Sequence, residues 1–176
     1  MIEAVRNQLE RDAIPYCLIG ATALAAHGFA RQSQDVDLLC MDDRVLGASY
    51  WIAMVPAPEI REGDATDPLR GLVRFPSMPP LDLIVGRGHA ARLAVETAVK
   101  RGEGQWPLCT PLALTLLKLE AGSGQDRADI VNLVATHRAA GRAAWTADIA
   151  THLAKLSQDA REAWTLVDAE LTRLPR

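Results

Sequence analysis

Ile19-Gly20-Ala21-Thr22-Ala23-Leu24-Ala25-Ala26-His27-Gly28-Phe29-Ala30-Arg31-Gln32-Ser33-Gln34-Asp35-Val36-Asp37-Leu38 holds a strand end, a turn, a helix and the start of a second strand. The apolar run Tyr16 to Ile19 stops at Gly20, which reads as a buried strand meeting a turn. Ala21 to His27 is rich in Ala and Leu and predicts a helix, ended by Gly28. His27 then sits at a helix C-terminus, where it interacts favourably with the dipole. The polar stretch Arg31 to Gln34 leads into a second strand, Asp35 to Cys40. Side chains alternate along a strand, so Asp35 and Asp37 project from one face while Val36 and Leu38 enter the core.

Two carboxylates side by side repel unless a cation lies between them. Magnesium is a hard cation that takes oxygen ligands and borrows others from substrate phosphates. The Asp35–Asp37 pair therefore suits a metal-triphosphate complex. Taken alone, an Asp-x-Asp is more often a solvated strand edge. Two features add to it. Backbone N–H groups at the Gly20 turn, with the helix N-terminus after it, can cradle phosphate oxygens. Asp82 is set among Leu81, Leu83, Ile84 and Val85. An acid in an apolar strand is costly without a partner. Asp82 is either a strand-end residue facing water after Pro79-Pro80 or the third member of a carboxylate set.

Outward from this block, residues 2–12 predict an amphipathic helix with Ile2, Val5 and Leu9 on one face. Residues 44–55 read as helical. Pro56, Pro58, Gly63 and Pro68 mark loop. Leu69 to Phe75 and Leu81 to Val85 read as strands, and Ala90 to Lys100 as a helix. Thr110-Pro111 supplies an N-cap and a first-turn proline for a helix ending near Gly122. Further helices are expected over Gln125 to His137, after Thr146 and after Ser157. In the last, Trp164, Val167, Leu171 and Leu174 share one face. The expected architecture is an α/β (α+β) core over 1–105, a small mixed sheet flanked by helices, with a helical region over 106–176 packing on it.

The chain's 176 residues suit one compact domain, or a small core with a helical appendix, and at 49% apolar content a core can form. The net charge of -3 and the lack of a basic run argue against strong nonspecific nucleic-acid binding. Cys17, Cys40 and Cys109 form no CxxC pair, so they read as reduced thiols of a cytoplasmic protein rather than a zinc site. No secretory leader is visible, and no apolar run reaches the roughly 20 residues that span a bilayer.

The quoted stretch resembles the signature of the DNA polymerase β-type nucleotidyltransferase superfamily: a glycine turn, a helix, Asp-x-Asp, and a third acid on a later strand. The subgroup it resembles most is the small bacterial one that includes the AbiEii-type toxins, with its "ALxxHG" helix and "R-x-T-x-D-h-D" approach. Ser33 stands where that pattern has Thr. Lys118-Leu119-Glu120-Ala121-Gly122-Ser123-Gly124-Gln125-Asp126-Arg127-Ala128-Asp129-Ile130 resembles the subgroup's "K-L-x-A…D-x-x-D-h" segment. The likeness covers roughly residues 14–40, 81–86 and 111–134. The usual Gly-Gly or Gly-Ser is Gly20-Ala21 here. Alanine keeps the backbone amide, lacks the hydroxyl and brings a methyl toward the phosphate's approach. Gly122 to Gln125 stand where an Arg often precedes the later motif.

The resemblance implies a nucleotidyltransferase that moves an NMP from an NTP to an acceptor hydroxyl. The acceptor would be a small molecule, a protein or a tRNA end. Asp35 and Asp37 would hold Mg²⁺ or Mn²⁺ with the triphosphate. Asp82 would complete the metal site and accept the acceptor's proton. Gly20 and Ala21 would line the phosphate turn, with Arg31, Ser33 and Lys118 nearby. Lys118 and Arg31 could equally be a snorkelling lysine and a solvated loop arginine. Asp126 and Asp129 either face the cleft or open a helix, where acids are favoured. An adjacent antitoxin protein is the partner a toxin-like role implies. Two other readings stand beside this one: a degenerate fold that only binds a nucleotide or a protein, and an α/β structural module.

Overall fold

The computed structural model describes residues 1–33, 35–64, 67, 69–102 and 104–173. Five strands form one sheet: β1 (Tyr16–Leu18), β2 (Val36–Cys40), β3 (Glu59–Glu62), β4 (Leu69–Phe75) and β5 (Leu81–Gly86). Their order in space is β1-β2-β5-β4-β3. β2 and β5 run parallel, and the other neighbours run antiparallel. The helices are α1 (Ile2–Arg11), α2 (Gly20–Ala26), α3 (Gly88–Glu96), α4 (Pro111–Ala121), α5 (Gly124–Ala139), α6 (Ile149–Leu153) and α7 (Gln158–Arg173). This is the mixed α/β fold expected from the sequence.

Strand alternation divides the core. Leu38, Cys40, Leu81, Leu83 and Val85 face α1 and pack with Val5, Leu9, Trp51 and Phe75. Leu39 faces the other way, into a layer with Leu24, Ala91, Leu114 and Leu133 from the helices. A third cluster joins α4, α5 and α7 through Leu116, Leu119, Ile130, Val167 and Leu171. The period-2 pattern of β2 and β5 thus puts Asp37 and Asp82 on the helix-covered face, near one end of the sheet.

Local chemistry fixes the α4–α5 corner. Thr110 caps α4 through the amide of Ala113, and Pro111 occupies the first turn. Gly122 ends α4 in the left-handed region at φ 69°. Ser123 then starts α5 in a capping box with Asp126. Of Gly122 to Gln125, a departure from the resembled pattern, Gly122 and Ser123 make a tight interhelical turn, and Gly124 and Gln125 open α5.

The structure corrects several expectations. Residues 44–55 do not form one helix. They make two short 3-10 turns, Asp43–Leu46 and Ala48–Trp51, parted by Gly47 in extended backbone. The indole of Trp51 donates to the carbonyl of Val45 and folds the turns together. Glu59–Glu62 lies inside the expected loop yet forms β3. Its sequence EIRE lacks apolar alternation because it is an edge strand, where charge discourages further pairing. The helix expected over residues 90–100 runs instead from Gly88 to Glu96. Gln34, Pro68 and Leu174, all part of expected elements, lie outside the described residues. Among those described, no helix is long and apolar enough to cross a membrane.

Candidate functional site

β1 and β2 are antiparallel, so the end of β1 lies beside the start of β2. The amide of Ile19 donates to the carbonyl of Asp37 at 3.0 Å. Gly20 then turns the chain at φ +61° into α2. A Cβ at Gly20 would stand 2.0 Å from Oδ2 of Asp37, so the carboxylate rests against the bare turn. The position requires glycine both for its backbone and for its space.

On the other side of β2, Asp37 is the direct register partner of Asp82. Adjacent strands are about 4.8 Å apart, so these acids are immediate neighbours on one face. Asp82 is in turn the register partner of Arg74, and Arg74 of Glu59. One row of charged side chains thus crosses four strands: Asp37, Asp82, Arg74, Glu59. Arg74 grips Asp82 with both arms, Nε to Oδ1 at 2.8 Å and Nη2 to Oδ2 at 2.7 Å. The same Nη2 donates to Oδ2 of Asp35 at 3.4 Å. Oδ2 of Asp35 and Oδ2 of Asp82, sharing that one nitrogen, therefore lie within about 6 Å of each other. Asp35, Asp37 and Asp82 thus lie near one another at one end of the sheet.

The cluster's electrostatics follow from this crowding. Burial pushes the Asp37 carboxyl up to about 6, and the charges of Asp82 and Asp35 push the same way, against Lys118 and Arg31. Arg74 is held above the ordinary arginine range, chiefly by its hydrogen bonds to Asp82. Asp82 is only 7% exposed, and Arg74 is the partner that an acid in an apolar strand requires.

Behind Asp37 lies a second charged group. Lys118 is 6% exposed, and its ammonium donates to Asp126 at 2.9 Å and to Asp129 at 2.7 Å. Asp129, fully buried, also accepts from Gln125 at 2.9 Å and from Nε of Arg31 at 3.2 Å. Burial alone would raise the Asp129 carboxyl, but the bonds from Lys118 and Gln125 outweigh it and hold it below the usual range. Lys118 is thus an ion-paired core residue rather than a lysine snorkelling to solvent. Asp126 both caps α5 and pairs with Lys118.

The remaining candidates are placed as follows. Ala21 is 3% exposed, so its methyl is buried. Ser33 is exposed and bonds the backbone of Asp35. His27 donates from Nε2 to the carbonyl of Cys109 at 2.7 Å, a structural tie between α2 and the start of α4. Arg74 escaped the sequence reading. Its signal is a charge alternating with the buried Val73 and Phe75, on the sheet face that Asp82 shares.

Asp35 and Asp37 offer carboxylate oxygens, which suit a hard divalent cation rather than a thiolate-bound metal. Among the described residues, no three His, Cys, Asp or Glu side chains are arranged to hold an ion. The guanidinium of Arg74 stands among these carboxylates instead.

No family model matches the sequence, and no curated protein sequence matches it. The fold is similar over nearly the whole chain to the antibiotic-resistance factor ANT(2'')-Ia, at 14% identity and a TM-score of 0.52, covering 98% of this chain and 96% of that one. It is also similar to an antigenic nucleotidyltransferase-like protein from Paracoccidioides brasiliensis, at 16% identity and a TM-score of 0.51, covering 95% and 85%. The chain has the fold of nucleotidyltransferase-like proteins.

Proposed function

We propose that this protein is a nucleotidyltransferase that moves an NMP from an NTP to an acceptor hydroxyl, using Mg²⁺ or Mn²⁺. The observation that carries the reading is the row in which Asp37 abuts both the bare Gly20 turn and Asp82, with Asp35 alongside. A glycine turn opening a helix next to crowded carboxylates is what a metal-triphosphate needs on its two sides. Asp35 and Asp37 are the residues that would hold the ion. When bound, the ion would neutralise phosphate charge and favour departure of pyrophosphate.

The chain's own groups do the rest. The Gly20 turn and α2 N-terminus receive phosphate oxygens. Arg31 is steadied by Asp129, and Lys118 adds positive potential behind Asp37. Ser33 orders the approach to Asp35. Asp82 accepts the proton of the acceptor hydroxyl; in the ion-free protein Arg74 takes two of the carboxylate's about four lone-pair sites. We place the reaction in the cytoplasm, where the free thiols of Cys17, Cys40 and Cys109 stay reduced. The toxin-like role, with AbiEii-type relatives and a cognate antitoxin, rests on the sequence motifs. An antibiotic acceptor is the other small-molecule option.

A binding-only reading draws on one observation: Arg74 already neutralises Asp82 and reaches Asp35. One experiment separates the two. Labelled NTPs are incubated with the protein, Mg²⁺ or Mn²⁺, and cell extract, small-molecule or tRNA acceptors. The wild type should label an acceptor, and Asp82→Asn should cost several orders of magnitude while nucleotide still raises the melting temperature. Asp35→Asn with Asp37→Asn should remove that rise as well. Transfer undiminished in Asp82→Asn would defeat the assigned base. Nucleotide-induced stabilisation without transfer to any acceptor would favour the binding-only reading.

A further inference from the structure

We propose that Arg74 is a displaceable internal counter-cation, which holds Asp82 and Asp35 until a divalent cation arrives and then swings toward Glu59 on β3. The inference rests on the reading of the carboxylate cluster as a cation site and adds how that site is kept charge-balanced before loading. Three observations carry it. The guanidinium bridges the two outer carboxylates of the cluster, at 2.7 Å to Asp82 and 3.4 Å to Asp35. Its side chain is 43% exposed, so it is not packed in place. Glu59 is its register partner on the side away from Asp82, and a cleft of about 520 Å³ lined by Asp35, Glu59, Arg74 and Pro80 opens there.

Arg74 thus has carboxylates on both flanks and room to travel between them. Paired with Asp82, it offsets repulsion among three neighbouring acids. A dication adds more charge than the guanidinium does and takes Asp35 out of its reach. Glu59 then receives the displaced arm. Oε1 of Glu59 accepts both bonds from Arg61, at 2.9 and 2.6 Å, and Arg74 would join that pair at the sheet edge. Arginine suits this role because its planar fork can bridge two carboxylates, which a point-charge ammonium cannot.

The test is a Mn²⁺ titration without nucleotide, following free Mn²⁺ by electron paramagnetic resonance. A merely structural arginine would lower ion affinity when removed, whereas a competing cation raises it. Arg74→Gln should bind Mn²⁺ about tenfold more tightly than wild type, a factor that corresponds to about 1.4 kcal/mol. Its ion-free melting temperature should fall, and its rise on adding Mn²⁺ should exceed that of wild type. Arg74→Lys keeps the charge and guards against misfolding of the first variant. It should also bind Mn²⁺ more tightly than wild type, because one ammonium cannot hold both acids. Glu59→Gln should bind about threefold more weakly, the loss of a charged landing partner. Equal or weaker affinity in both Arg74 variants, with clear binding by wild type, overturns the counter-cation. Unchanged affinity in Glu59→Gln overturns the movement toward β3. No Mn²⁺ binding by any of these proteins removes the cation site itself and this inference with it.

Discussion

At Gly20 a single methyl group would meet the carboxylate of Asp37, with Oδ2 2.0 Å away and Cγ 2.8 Å away. The φ of +61° adds backbone strain for any other residue. Gly20→Ala should therefore cost at least about 1–2 kcal/mol of stability by urea denaturation. It should also abolish the nucleotide-induced rise in melting temperature, because Asp37 must move. An unchanged rise would show that Asp37 and the turn do not act together. Asp37 itself sets a pH dependence. Its carboxyl ionises near 3.8 ordinarily and near 6 in the folded protein, through burial first and the charges of Asp82 and Asp35 second. Between those values the folded chain keeps a proton that the unfolded chain has lost. This contribution to stability is full below the lower value and lost as pH rises through about 6. Asn is neutral throughout and escapes that loss. Asp37→Asn should be more stable than wild type at pH 8 by roughly 2–3 kcal/mol, with the advantage gone near pH 4. Equal advantages at both pH values would mean that charge is not the cause.

Between elements, the group formed by Lys118 on α4, Asp126 and Asp129 on α5 and Arg31 on the loop before β2 decides how the helices meet the sheet. Removing one partner of a buried ion pair leaves a buried charge alone. Lys118→Met should destabilise the protein by about 3 kcal/mol even without nucleotide, because fully buried Asp129 keeps only Gln125 and Arg31. A lysine that served only a phosphate would show no such loss in a nucleotide-free melt. The elements were legible in the sequence where pattern and environment agree. Leu81 to Val85 is apolar apart from Asp82 because β5 is central and buried on both faces. Thr110-Pro111 caps α4 as expected. β3 was not legible, because an edge strand held by pairing with β4 needs no apolar side of its own. At the site, the three aspartates were visible from spacing and from the cost of an acid among Leu and Val. Arg74 was not, because its role comes from register across β4 and β5, which is a property of the sheet and not of the local sequence. The pairing of Lys118 with Asp126 and Asp129 depends likewise on how tightly Gly122 and Ser123 turn the chain.

Across the whole molecule, α4 belongs to two cores at once. Ala113 and Leu114 pack with Leu24, Leu39 and Ala91 against the sheet, while Leu116 and Leu119 pack with α5 and α7. The segment before it joins the sheet edge: the amide of Leu18 donates to Pro107 at 2.7 Å, and that of Cys109 to Leu18 at 3.1 Å. Leu108 exchanges backbone bonds with Val99 in the same stretch. A cut near residue 105 would remove this edge pairing and strip Cys109, Ala113, Leu114 and Leu133 from the layer over the sheet. Each buried Leu side chain is worth about 1.5–3 kcal/mol, and a domain's whole stability is about 5–15 kcal/mol. Losing several such contacts together leaves the α/β half without a closed core. It would also lose Asp129, which steadies Arg31 beside the cleft. The full chain should therefore melt in one cooperative transition, with far-ultraviolet circular dichroism and tryptophan fluorescence giving the same midpoint. A fragment of residues 1–105 should show no cooperative melt and poorly dispersed amide resonances. A fragment that melted sharply near the temperature of the full chain would show that the helical half is a separate unit, and that the cleft is built by the α/β half alone.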